Sequence, residues 1–322
     1  MTVRGSDAYL SGISVRNAEP TLAKCSPGRA AQAARPTSSD VAKSGVVNKV
    51  GRAPGLWRMA DETIELYVCL LDAIDMPRAC EASLATLSPE EKGRAARLVR
   101  DRDQRQYILA HGLLRFALSN LVPQVEPSDW SFTTDRYGRP FIAAPAIERT
   151  VHFSLSHTDG CVACVVSGHQ AVGVDVERIL ERGSLLETAL SVFSVEEIEA
   201  LRHLAPDDFV DRFFDYWTLK ESFLKATGRG LNLPLDQFSM LISPGEIGIR
   251  FMPGIADDSR RWRFTRCSPS PIHRLAIADG SGAAGGLPIV VRSWPLASQR
   301  LGCVSHLAAD GTDLRFHRIP ER

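Results

Sequence analysis

Two stretches of this chain carry residue types and spacings suited to chemistry on phosphates. The first is Gly173-Val-Asp175-Val-Glu177. Val172, Val174 and Val176 alternate with Gly173, Asp175 and Glu177, which is strand periodicity with one apolar face. The other face then carries two carboxylates whose Cα atoms sit roughly 6–7 Å apart. Two such charges repel by roughly 3 kcal/mol at an effective dielectric of about 20. The pair needs either open water, as on a solvated hairpin strand, or a cation between the two groups. Mg²⁺ suits the second case, because it takes oxygen ligands and is commonly shared between one or two carboxylates and substrate phosphates. Gly173 on the same face leaves room for a ligand to approach closely.

The second stretch is Trp217-Thr-Leu-Lys220-Glu221-Ser-Phe-Leu-Lys225. Phe209, Phe213, Trp217 and Leu224 recur at spacings of four and seven, giving a helix with an apolar stripe. Asp207 and Asp208 suit its start and Gly228 its end. Glu221 and Lys225, four apart, share one face beside Trp217. Taken alone they are an exposed ion pair contributing a few tenths of a kcal/mol.

In order and spacing the two stretches resemble one family, the surfactin-type 4′-phosphopantetheinyl transferases. Its members carry a Gly-(Val/Ile)-Asp-x-Glu strand followed by a Trp-x-x-Lys-Glu-x-x-x-Lys helix. A third family element, Ser-x-Ser-His, stands here as Ser154-Leu-Ser156-His157. The resemblance runs from about Leu87 to about Phe238. It implies an α+β fold of two similar halves related by a pseudo-twofold, with the active site in the cleft between them. It also implies Mg²⁺-dependent transfer of 4′-phosphopantetheine from coenzyme A to a serine of an apo acyl or peptidyl carrier protein, by a cytoplasmic monomer. Asp175 and Glu177 would hold the metal, and Glu221 would complete that site or act as base. Lys220 and Lys225 would face the pyrophosphate. Arg94, Ser156 and His157 would bind the 3′-phosphate of the coenzyme. Tyr137-Gly-Arg139-Pro140 matches the family's Gly-Lys-Pro turn at the adenine end.

Two rival readings stay open. Metal-dependent nucleases also pair acidic residues with a Glu-x-Lys, but set Glu and Lys two apart on a strand. A non-enzymatic relative that binds coenzyme A or carrier would keep the fold while losing the chemistry; intact Asp175, Glu177, Glu221 and Lys225 argue against that.

Lys plus Arg and Asp plus Glu each number 38 in 322 residues, so global charge points to neither nucleic acid nor membrane. Residues 1–60 hold nine basic and three acidic side chains, which leaves the rest net acidic and disfavours a nucleic-acid partner. No apolar run reaches the ~18 residues of a transmembrane helix. Residues 1–60 are rich in Ala, Ser, Gly, Pro and Arg without a sustained period, and read as a disordered leader. The expected organisation continues with a first half over 61–148, a second over 149–295 and a tail over 296–322.

Ile64, Leu66, Val68 and Leu70 alternate as a strand. Ser88-Pro89-Glu90-Glu91 and Ser194-Val-Glu-Glu197 are capping boxes that open helices. The first leads an Arg-rich helical region to about Asn120 with a break near Asp101. Strands are expected around the turn Asp135–Gly138, and again over 247–251, 262–266, 272–278 and 289–294. Cys161 and Cys164 fall on opposite faces of an apolar strand and suit a core rather than a metal. The seven scattered cysteines fit a reducing compartment. Deleting residues 1–58 should leave the melting temperature and the transfer rate nearly unchanged; a clear drop in either would show that the leader packs on the domain or recruits the acceptor.

Overall fold

A computed structural model describes residues 63–169, 171–180, 185–294 and 313–314. The expected leader and nearly all of the expected tail lie outside them. The first half of the fold contains β1 (Ile64–Leu70), α1 (Met76–Thr86), α2 (Pro89–Ala96), α3 (Asp101–Leu121), β2 (Ser131–Thr134), β3 (Pro140–Ala144), β4 (His152–Thr158) and β5 (Cys161–Ser167). The second repeats that order: β6 (Val172–Arg178), α4 (Leu185–Val192), α5 (Val195–Arg202), α6 (Pro206–Thr227), β7 (Phe238–Ser243), β8 (Glu246–Phe251), β9 (Arg263–Cys267) and β10 (His273–Asp279). Strands β11 (Ile289–Ser293) and β12 (Asp313–Leu314) follow.

The repetition extends to pairing. In each half the first strand pairs antiparallel with the last, and the last with its predecessor, giving β1-β5-β4 and β6-β10-β9. The chain is α+β, as the resemblance implies. By strand pairing the first half runs to Ser167 rather than ending at 148, because β4 and β5 belong with β1. β11 joins the first sheet beside β1, in parallel.

The two sheets stack face to face between two long helices. Ile64, Leu66, Val68 and Leu70 of β1 meet Val172, Val174 and Val176 of β6 in a core between the sheets. Tyr67 and Cys69, on the other face of β1, pack with α1 and α3. β1 is therefore buried on both sides. Cys161 and Cys164 are fully buried on opposite faces of β5, with free thiols, as expected of core residues. α6 lies across the outer face of β6 and β10, and is also covered by β7–β8 and by α4 and α5, so it is buried on most of its circumference.

Both expected capping boxes form. Their glutamates do further work that the sequence did not announce. Glu91 accepts from Ser88 N and also from Arg115 of α3 at 2.7 Å; Arg115, 1% exposed, reaches on to the carbonyls of Pro127 and Trp130 just ahead of β2. Glu197 accepts from Ser194 N and from Lys220 of α6 at 2.8 Å; Lys220, 0% exposed, reaches on to the carbonyls of Leu235 and Phe238 at the start of β7. Each half thus has the same internal strut, with arginine in one and lysine in the other.

β4 and β6 are edge strands of different sheets, and they meet without a backbone ladder. The hydroxyls of Ser154, Ser156 and Thr158 accept instead from the backbone N–H groups of Val174, Val176 and Arg178, at 3.1–3.2 Å. An alternating row of hydroxyls thereby satisfies an edge that would otherwise be orphaned. Gly173 sits where α6 crosses β6. A Cβ there would collide with the Ser222 carbonyl oxygen and lie 2.6 Å from Ala226 N. The space expected to admit a ligand is filled by helix backbone. Gly173→Ala should therefore lower the unfolding free energy by about 2 kcal/mol or more, read by guanidinium denaturation; an unchanged midpoint would show that α6 rests on β6 with slack.

Candidate active site

Where β4, β6 and α6 converge, the expected metal and catalytic residues come together. β6 alternation turns Asp175 and Glu177 toward α6, and the last two turns of α6 turn Glu221 and Lys225 toward β6. Lys225 Nζ lies 2.7 Å from Asp175 Oδ1 and donates to Ser156 Oγ at 2.9 Å. Ser156 in turn donates to the same Asp175 oxygen at 2.9 Å. Asp175 is 2% exposed, and its second oxygen, Oδ2, is buried with no hydrogen-bond partner. Thr158 donates to Glu177 at 3.3 Å. α6 ends at Gly228, left-handed at φ 67°, which closes the helix one turn after Lys225.

The electrostatics follow from burial and from like charges. Burial pushes the Glu177 carboxyl up, and neighbouring Asp175 pushes it further; Lys225 and the Thr158 hydroxyl only partly offset this. Glu221 is raised for the same two reasons, burial first and Asp175 second, again partly offset by Lys225. Arg274 stands directly across from Glu177 on β10, but its guanidinium turns to Asp211, Asp215 and Ser268. One ammonium thus serves three carboxylates, which leaves the cluster short of positive charge.

Among the described residues no three His, Cys, Asp or Glu side chains form a preassembled metal cage. The donor set nevertheless suits a hard cation. It offers an unpartnered, buried carboxylate oxygen on Asp175 and two carboxyls whose protons a cation would displace.

Other expected site residues lie elsewhere. Lys220 does not face the cleft. All three of its N–H donors are used by Glu197, Leu235 and Phe238 inside the second-half core, so the expected pyrophosphate contact is corrected to a structural role. One residue along a helix turns a side chain by about 100°, which is why Glu221 reaches the cleft and its neighbour does not. Ser156, expected on the 3′-phosphate, spends its hydroxyl on Asp175, Lys225 and Val176, and so positions the cluster. His157 lies on the opposite face of β4, half-buried, near His111 of α3, whose imidazole burial holds down at about 4, with His157 adding a smaller push in the same direction. Arg94 occupies the last turn of α2. Arg139 folds over the end of α6, donating to the Ala226 carbonyl at 3.1 Å, and Pro140 opens β3.

Thr158 was missed from the sequence. Its signal is the alternation Ser154, Ser156, Thr158, which marks a hydroxyl face rather than isolated serines.

A family model of the 4′-phosphopantetheinyl transferase superfamily matches residues 171–276, which span β6, α6 and β10. The 4′-phosphopantetheinyl transferase Sfp of Bacillus subtilis strain 168 is 34% identical over 187 residues, covering 58% of this chain and 80% of the relative. The chain belongs to the 4′-phosphopantetheinyl transferase superfamily. Another B. subtilis transferase of that name is 31% identical over 172 residues, 53% of this chain and 74% of the relative. The transferase HetI of Nostoc sp. is 32% identical over 196 residues, 61% and 80% of the two chains.

Lys220 offers a test of the strut within this superfamily member. Lys220→Met should lower stability by about 3–5 kcal/mol by stranding buried Glu197, and Glu197→Met in the same chain should recover much of that. Lys220→Arg, which copies the first half, should keep KM for coenzyme A within about twofold of wild type. A large rise in that KM would return Lys220 to the pyrophosphate.

Proposed function

We propose that this protein transfers 4′-phosphopantetheine from coenzyme A to a serine hydroxyl of an apo acyl or peptidyl carrier protein, releasing adenosine 3′,5′-bisphosphate. The observation that carries the reading is the cluster of Asp175, Glu177 and Glu221 around Lys225, on the elements that the superfamily shares. The serine oxygen attacks the β-phosphorus of the pyrophosphate, and the bond to the bridging oxygen breaks. Such a step needs the nucleophile deprotonated and the leaving phosphate neutralised.

Glu221 is suited to take the serine proton, because burial beside Asp175 raises its basicity toward the working pH. Lys225 is held by Asp175 and Ser156 at the mouth of the cluster, where its ammonium offsets charge on the leaving phosphate. Asp175 and Glu177, with Glu221, would hold Mg²⁺. When bound, Mg²⁺ supplies the positive charge the cluster lacks and polarises the phosphoryl oxygens. Arg94, Arg139, Pro140 and His157 are our assignment for the nucleotide end of coenzyme A. The free buried thiols fit a cytoplasmic protein, and we take it to act as a monomer. Among the described residues no helix is long and apolar enough to cross a membrane.

Incubation of candidate apo-carriers with the protein, coenzyme A and Mg²⁺ should add the mass of one phosphopantetheine. No gain with any carrier of fatty acid, polyketide or nonribosomal peptide type would end the proposal. Glu221→Gln keeps size and hydrogen bonding but removes charge and basicity, and should cut kcat by at least ~10²-fold. Lys225→Ala should also slow turnover, with the double variant little worse than the poorer single one. If both single variants stay within about twofold of wild type, Glu221 and Lys225 serve the packing of the cluster alone and the proposal fails.

A further inference from the structure

The two β6 carboxylates of the cluster have different neighbours on β10. In the antiparallel register Ala276 stands opposite Asp175, and Arg274 stands opposite Glu177. Side chains directly opposite on one sheet face have Cβ atoms about 4.5–5.5 Å apart, so a Glu–Arg pair across the two strands is the expected outcome there. It does not form. The Arg274 guanidinium turns to α6 and is held at all three nitrogens. Nη2 is taken by Asp211 at 2.7 Å, Nε by Asp215 at 3.3 Å and Nη1 by the Ser268 hydroxyl at 2.6 Å.

Asp215 is the anchor of that arrangement. Asp211 and Asp215 are four apart on α6 and share a face, but Asp211 is exposed whereas Asp215 is buried. Water screens the first attraction and leaves the second strong. Asp215 also takes Arg266 of β9 at 2.5 Å and Arg212 of its own helix at 3.9 Å. Three guanidinium groups thus gather on one carboxylate of α6, less than two turns before Glu221. The cluster, short of positive charge, is denied the arginine that stands opposite one of its own members.

We propose that Asp215 is a positioning residue for the metal site: by holding Arg274 against α6, it keeps Glu177 open to a divalent cation. The inference rests on the reading of Asp175, Glu177 and Glu221 as metal ligands. A guanidinium that reached Glu177 would cover, with its forked N–H groups, the same oxygens that a hard cation needs. The ion would then have to displace the arginine before it could bind.

Titration of the full chain with Mn²⁺, followed by the paramagnetic resonance of the free ion, tests this without carrier or coenzyme A. Asp215→Asn keeps the shape of the side chain, removes its charge and frees Arg274 to turn to Glu177. Mn²⁺ affinity should fall at least about tenfold, the low end of what groups that orient metal ligands contribute. Arg274→Gln alone should stay within about twofold of wild type, and adding it to Asp215→Asn should bring affinity back to within about threefold. The Mg²⁺ concentration for half-maximal transfer should rise in Asp215→Asn, while the rate at saturating Mg²⁺ holds within about twofold of wild type. Unchanged Mn²⁺ affinity in Asp215→Asn overturns the inference. So does a double variant as weak as Asp215→Asn, or a rate lowered equally at every Mg²⁺ concentration, since either marks a packing defect. Should Asp215→Asn fail to fold, Asp211→Asn/Ser268→Ala strips the two exposed anchors of Arg274 instead; affinity weakened by about threefold or more supports the inference and unchanged affinity overturns it. A wild type that binds no Mn²⁺ overturns the inference together with the metal reading. If no carrier is modified yet the Mn²⁺ affinities change as stated, the proposed function fails and this inference stands; if transfer proceeds and Asp215→Asn binds Mn²⁺ normally, the reverse holds.

Discussion

Three side-chain hydroxyls hold the two halves of this protein in register. Backbone hydrogen bonds define each sheet, but the seam between β4 and β6 is closed by Ser154, Ser156 and Thr158 reaching amides of β6. Each such bond contributes about 0.5–1.5 kcal/mol net, so the seam is not strong by itself. Its importance is geometric. A direct ladder would draw the strands to about 4.8 Å and merge the sheets. Interposed hydroxyls keep them apart, so each sheet stays stacked under its own helix and the carboxylates of β6 face a cleft. The same hydroxyl of Ser156 that accepts from Val176 also touches Asp175 and Lys225, so the seam and the reactive cluster are one network.

Around that seam the two halves are copies put to different uses. The struts Glu91–Arg115 and Glu197–Lys220 fix a capped helix, a long helix and the following hairpin in the same relation. Only the second long helix brings Glu221 and Lys225 to the seam. The first contributes a buried face that backs β4, with His111 stacked on Tyr107 beneath His157. Duplication supplied the frame, and the chemistry was concentrated on one copy of it.

Much of this was legible in residue patterns. The alternation at β1 and β6, both capping boxes, the αL glycine after α6 and the core placement of Cys161 and Cys164 follow from local rules that tertiary contacts did not override. The charged cluster was legible because strand period and helix period each put two of its members on one face. What the sequence hid are contacts whose two ends belong to different elements. Lys220 looked functional because it fills the lysine of the Trp-x-x-Lys-Glu-x-x-x-Lys pattern, and only the position of Glu197 shows which way it points. Gly173 looked like room for a ligand because nothing in the sequence states that α6 crosses there. β7 escaped notice because Phe238–Ser243 is short and mixed, and is paired by β8 rather than marked by its own pattern.

The first sheet is completed by residues from the other end of the chain. β11 runs along β1, and Arg292 pairs at 2.9 Å with Glu65, 227 residues away in sequence. Glu65 is 2% exposed and also accepts from the Tyr67 hydroxyl. While the polypeptide is being made, β1, β4 and β5 can pair early, yet one edge of β1 stays bare and Glu65 waits for its counter-ion until β11 leaves the ribosome. A late-made strand thus finishes an early-made sheet, and a chain truncated before residue 289 would leave an apolar edge and a stranded carboxylate side by side, a combination that invites association with other chains.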